Sequence, residues 1–124
     1  MGYFKDLKVY QISFEVAMEI FRLTKGFPSN EQHCLTSQVI RSSRSVCSNI
    51  AESYRKRRYP SHFISKLTDA DMENTETLVW IEFAKTCGYI NQDTAAKLEY
   101  KANEVGKLLS YMIKNPGKFC DTAD

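Results

Sequence analysis

A chain of 124 residues is long enough for one domain with a single core and too short for two. With 43% hydrophobic and 26% charged residues, and no apolar run near the roughly 18 residues that a bilayer demands, the composition is that of a soluble globular protein without a membrane partner. The net charge of +2 is unevenly spread: residues 1–40 balance four acids against four bases, residues 41–66 hold seven bases and one acid (a local +6), and residues 67–124 hold six bases and ten acids (a local −4). Such a pattern suits an anionic partner such as nucleic acid, or complementary surfaces that meet in an assembly.

The first residues, Met1 to Asp6, lack the basic and then apolar regions of a secretory signal, which makes the cytoplasm the expected location. The four cysteines, Cys34, Cys47, Cys87 and Cys120, are scattered, with no Cys-x-x-Cys pair and no zinc-finger spacing to a histidine. They read as reduced thiols, mostly small core residues.

Taken in order, the first helix is expected over residues 6–25, ended by Gly26-Phe27-Pro28. Leu7, Tyr10, Phe14, Ala17, Met18 and Phe21 make one apolar stripe, and Val9, Ile12, Val16, Ile20 and Leu23 a second on roughly the opposite side. An outer helix of a small monomer needs only one buried stripe, so the second predicts coverage by another chain. The second helix is expected over 30–58, with Ser29 as its cap and Gln32 completing a capping box. Along it, Leu35, Val39, Val46 and Ile50 gather on one side and Arg41, Arg44, Ser48, Glu52 and Arg55 on the other. Its many small residues, Ser42, Ser43, Ser45, Cys47, Ser48 and Ala51, allow a neighbouring helix to approach closely.

Arg55-Lys56-Arg57-Arg58-Tyr59-Pro60 ends that helix in a basic loop, because Pro60 disfavours helical backbone at Tyr59 and consecutive like charges repel. The third helix is expected over 61–87, capped by Ser61 and stopped by Gly88, with Phe63, Leu67, Ala70, Asn74, Leu78 and Ile81 as its core stripe. Its stretch Leu78 to Ala84 is apolar nearly all round and again predicts subunit contact. Asn91 caps a fourth helix over 92–114, and the tail from Asp121 to Asp124 is expected to fray. Four such helices joined by short turns predict one all-α domain, an antiparallel up-down-up-down four-helix bundle.

The residues also resemble a known family. Phe4-Lys5-Asp6-Leu7-Lys8-Val9-Tyr10-Gln11, Phe27-Pro28, Leu35-Thr36-Ser37-Gln38 followed by Arg41, and above all Ser45-Val46-Cys47-Ser48-Asn49-Ile50-Ala51-Glu52 look like the pattern of the bacterial four helix bundle proteins, also described as 23S rRNA intervening-sequence proteins and ribosomal-protein-like. Phe63, Leu67, Ala70, Glu76-Thr77 and Gly88-Tyr89-Ile90 follow in the same order, so the resemblance spans about residues 4–113. Ser53 departs from the glycine usual at its position, and Met72-Glu73 from a Gly-Ser pair. The resemblance implies a compact bundle that assembles as a homopentamer and has a binding role more than a chemical one.

Nothing in the chain resembles catalytic machinery. His33 and His62 stand outside any helix-borne metal motif, no phosphate loop or nucleophile elbow occurs, and neither a catalytic residue, a metal site nor a cofactor is expected. Asn49 and Glu52 read as structural, Asn49 through hydrogen bonds to neighbouring helices and Glu52 as an ion-pair partner of Arg55 or Arg44. Arg41 and Arg44 are expected to meet Asp69, Glu73 or Glu76 of a neighbouring subunit, beside a contact made by Trp80 and Phe83. Arg55, Lys56, Arg57 and Arg58, flanked by Tyr54 and Tyr59, are the candidate phosphate- and base-binding residues for RNA. The competing reading is a homo-oligomeric scaffold whose basic loop docks an acidic protein partner.

Overall fold

A computed structural model describes residues 2–121. Four α-helices dominate it: α1 (Lys8–Thr24), α2 (Leu35–Arg55), α3 (Pro60–Thr86) and α4 (Gln92–Lys114), with single 3-10 turns over Phe4–Asp6, Ser29–Glu31 and Pro116–Lys118. No strand occurs among the described residues, and none of their helices is long and apolar enough to cross a membrane.

The helices close a ring in chain order, α1 against α2, α2 against α3, α3 against α4 and α4 back against α1, and α2 meets α3 most extensively. Their directions follow from two apolar clusters. One holds Val9 from the start of α1, Val46 and Ile50 from late α2, Phe63 and Leu67 from early α3, and Leu109 and Met112 from late α4. The other takes Val16 and Ile20, Leu35 and Val39, Ile81 and Ala84, and Ala95 and Leu98, the opposite half of every helix. Successive helices therefore run in opposite directions.

Between the clusters lies a waist of small and polar side chains. The buried Cys47 thiol donates to Ser13 Oγ at 3.5 Å, Ser42 and Thr77 hydroxyls meet at 2.8 Å, and Asn74 Nδ2 donates to the Ala102 carbonyl at 2.9 Å. Burial pushes the Cys47 thiol up, in keeping with its place as a packed group of the waist. Serines let α2 sit close to its neighbours: Ser42 and Ser53 are wholly buried and Ser43 nearly so. Ser53 keeps its hydroxyl satisfied by donating to the Ile50 carbonyl at 2.7 Å.

Several expectations are corrected. On α1 the core-facing stripe is Val9, Val16 and Ile20, which was expected to meet another subunit, whereas Phe14 of the other stripe is exposed. Two opposed stripes look alike in sequence, and only packing chooses between them. The second helix begins at Leu35, not residue 30: Ser29 makes no side-chain cap, and Glu31 Oε1 instead accepts from the Leu35 N–H at 3.3 Å. Tyr89 donates to the other oxygen, Oε2, at 2.8 Å and so ties the α1–α2 connection to the α3–α4 turn. Helix α3 opens at Pro60 rather than behind it, since a proline at the first helical position gives up no needed N–H. Leu78, placed in the core stripe, is only half-buried.

Two helix ends are as expected. Asn91 Oδ1 accepts from the Thr94 N–H at 2.8 Å, and Gly88 ends α3 at φ +79°, a backbone that other residues rarely adopt. Beyond α4 the chain turns back over the bundle: Phe119 stacks on Phe63 at 6.2 Å and Cys120 is buried. Asp121, expected to fray, is held there by its N–H donating to the Arg57 carbonyl at 3.1 Å. The rest of the expected frayed tail, residues 122–124, lies outside the described residues.

Candidate nucleic-acid interface

The basic run occupies the end of α2 and the short turn to α3, where a helix C-terminus favours cations. Arg55, Lys56 and Arg58 are exposed, and none of the three forms an ion pair among the described residues. Arg57 differs. Its guanidinium lies 3.7 Å above the Tyr54 ring, its Nε donates to the Tyr54 carbonyl at 2.8 Å, and its Nη1 stands 3.9 Å from Asp121 Oδ1. With only 16% of its side chain accessible, Arg57 braces the turn while its three neighbours present charge. Tyr59 is 53% exposed, its ring 5.6 Å from that of His62.

Beside the turn is a cleft of about 290 Å³. The N-terminal segment of Gly2, Tyr3 and Phe4 forms one wall, the last turn of α2 with Ala51, Tyr54 and Arg55 another, and Arg57, Arg58 and Asp121 complete the rim. The Tyr54 hydroxyl fills the space that a side chain at residue 2 would need, so glycine there lets the N-terminal segment pack against Tyr54. Tyr3, 52% exposed, packs on Phe4 with ring centroids 4.9 Å apart. Gly2, Tyr3, Phe4, Ala51 and Asp121 were not singled out for binding by sequence reasoning, and only the Tyr3-Phe4 pair offered a local signal.

The other candidates fall elsewhere. Arg41, expected to reach a neighbouring subunit, pairs within its own chain, with Glu73 at 3.1 Å and Glu76 at 2.6 Å. Helices α2 and α3 are adjacent, so the oppositely charged faces meet inside one molecule. Glu76 also accepts from Trp80 Nε1 at 3.1 Å, and these two donors, Trp80 first, hold its carboxyl below the usual range. Arg44 lies over the Phe21 ring at 5.3 Å, Asp69 is half-buried, and Phe83 is exposed beside Trp80. Asn49, expected to bond a neighbouring helix, donates instead to the Ser45 carbonyl of its own helix at 2.9 Å. Glu52 pairs with Lys66 of α3 at 2.9 Å, not with Arg55 or Arg44.

A four-helix bundle with a cationic, aromatic-lined cleft at one end is thus the class of protein defined by these contacts. The chain belongs to the 23S rRNA-intervening sequence protein family, which it matches over residues 5–111. It is similar to a crystal structure, at 1.70 Å resolution, of a protein of unknown function from the S23 ribosomal protein family of Bacteroides thetaiotaomicron VPI-5482. The two are 32% identical with a TM-score of 0.76, over 86% of this chain and 98% of the other. A comparison with curated proteins found no match.

Proposed function

We propose that this protein is a non-catalytic, cytoplasmic RNA-binding protein that acts through the α2–α3 turn. The observation that carries the reading is the exposure of Arg55, Lys56 and Arg58 on one turn whose geometry Arg57 fixes from behind. A braced turn carrying three exposed cations suits a phosphate backbone, and repetition of the turn around a homo-oligomer adds weak contacts through effective concentration. The family relationship favours rRNA as the first nucleic acid to test.

The test is a titration with labelled rRNA fragments at two salt concentrations, comparing wild type with a variant carrying Ala at Arg55, Lys56 and Arg58. Losing three phosphate contacts lowers the magnitude of the log–log salt slope by about 2, from roughly 0.7 per contact on single strands, and weakens binding at least tenfold. Equal binding by the two proteins, or no binding at low salt, overturns the reading.

A second reading, the homo-oligomeric scaffold, has its own support: Phe14, Met72, Val79 and Phe83 are 46–65% exposed, a large apolar display for a free monomer. The number five comes from the resemblance to homopentameric relatives. In the scaffold reading the turn docks an acidic protein and the salt-dependent RNA affinity is absent.

A further inference from the structure

The cleft beside the turn has a shape that phosphate attraction does not require. A surface that only tracks a phosphate backbone needs exposed cations, and Arg55, Lys56 and Arg58 supply them without any concavity. Here the chain builds a cavity of about 290 Å³ against two of those cations, Arg55 and Arg58, at the small end of ligand clefts, which run from roughly 300 Å³ upwards. Its walls come from three separated parts of the sequence, and the side chains they bring in are aromatic: Tyr3 and Phe4 from one side and Tyr54 from another. Arg57 stacks on Tyr54 and stiffens that ring, leaving Tyr3, with Lys5 Nζ 5.7 Å from its ring centroid, as the most exposed aromatic ring of the cleft.

We infer that the cleft receives one unpaired nucleotide of a bound RNA, its base against Tyr3 and its phosphate between Arg55 and Arg58. The inference rests on the nucleic-acid reading above and adds to it a class of substrate: single-stranded or looped RNA in preference to duplex. An aromatic face stacks on any base, and the cations meet the phosphate of the same residue. A paired base is already stacked between its neighbours in the helix and cannot enter without being flipped out. Asp121, paired with Arg57 at the rim, places one hydrogen-bond acceptor among the three guanidiniums. A base edge carrying N–H groups can donate to that carboxylate, which a bare phosphate cannot do.

The experiment measures binding of a short labelled RNA to the full chain, once as a single strand and once annealed to its complement. Four proteins are compared: wild type, Tyr3→Ala, Ala51→Met, and the triple variant with Ala at Arg55, Lys56 and Arg58. Ala51→Met adds bulk to one wall of the cleft without changing charge, and thermal melting shows that each variant is folded. Wild type should bind the single strand about tenfold more tightly than the duplex, within the roughly 5- to 150-fold that stacking one base contributes. Tyr3→Ala and Ala51→Met should each bring single-strand affinity down to the level of duplex affinity measured on the same variant, and the triple variant should weaken both forms. Equal wild-type affinity for both forms, with the triple variant still impaired, overturns the pocket and leaves the basic-turn reading standing. A single-strand preference that survives both Tyr3→Ala and Ala51→Met also overturns it. Failure of wild type to bind either form overturns both readings.

Discussion

Thr77 has one hydroxyl hydrogen, and giving it to the Glu73 carbonyl at 2.9 Å leaves the Ser42 hydrogen a short bond, whereas the reverse leaves Ser42 only the Val39 carbonyl at 3.4 Å. The contact of 2.8 Å with Ser42 Oγ is therefore completed by the Ser42 hydrogen, giving a chain from Ser42 through Thr77 to the α3 backbone. Both side chains are buried, so neither can turn to water. Replacing Thr77 by Val leaves Ser42 with only the Val39 carbonyl, 3.4 Å away, and should cost about 1–2 kcal/mol of unfolding free energy. The double variant Ser42→Ala/Thr77→Val should recover part of that loss, because it removes both ends of the bond. Urea unfolding of the two single variants and the double gives the coupling directly; strict additivity would contradict the arrangement.

At the scale of elements, the contact between the α1–α2 connection and the α3–α4 turn depends on pH. The Glu31 carboxylate, accepting the Tyr89 phenol and helped by desolvation, pushes that phenol from 10.0 up to about 12. A raised folded-state value means that the contribution to stability is complete below pH 10 and is lost as pH rises through about 12. The stability gap between wild type and Tyr89→Phe should therefore be open at pH 8 and narrow by pH 11 in urea melts. A gap that stays constant would show that the phenol does not bond Glu31.

This same contact explains what sequence patterns missed in α2. Ser29 and Gln32 have the spacing of a capping box, but the acceptor that serves Leu35 is Glu31, oriented by a tyrosine 58 positions further on. Helix α4 was legible to its ends because its Asn91 cap and the Pro116 beyond it act locally. The basic run was legible for the same reason. The cleft was not, since it exists only when residues 2–4 and Asp121 are folded against the end of α2. Arg41, expected to meet Glu73 or Glu76 of a neighbouring subunit, reaches both within its own chain, because α2 and α3 are adjacent, a proximity the order of residues does not show.

For the whole molecule, intrachain pairing of Arg41 leaves apolar surface as the main argument for assembly. Phe83 and Val79 share the outer face of α3, and Phe14 stands on the outer side of α1. Light scattering on wild type should give a mass near five times the 14.3 kDa chain, and Val79→Glu/Phe83→Glu should lower it towards one chain without loss of helical circular dichroism. A wild-type monomer at micromolar concentration would contradict assembly.

The polar waist bears on how faithfully the two ends of the bundle are aligned. Apolar stripes repeat every turn, so a helix displaced along its axis by about 5.4 Å still sets oily residues against oily residues in both halves. The waist admits no such displacement: one turn of slip parts Ser42 from Thr77 and Asn74 from the Ala102 carbonyl, stranding buried hydroxyl and amide groups. It therefore acts as an index mark that rejects near-native alignments which hydrophobicity alone would accept. The cleft is a mosaic of separate segments, and its outline is only as accurate as that alignment. Smoothing the waist with apolar side chains should thus blur the pocket before it melts the bundle.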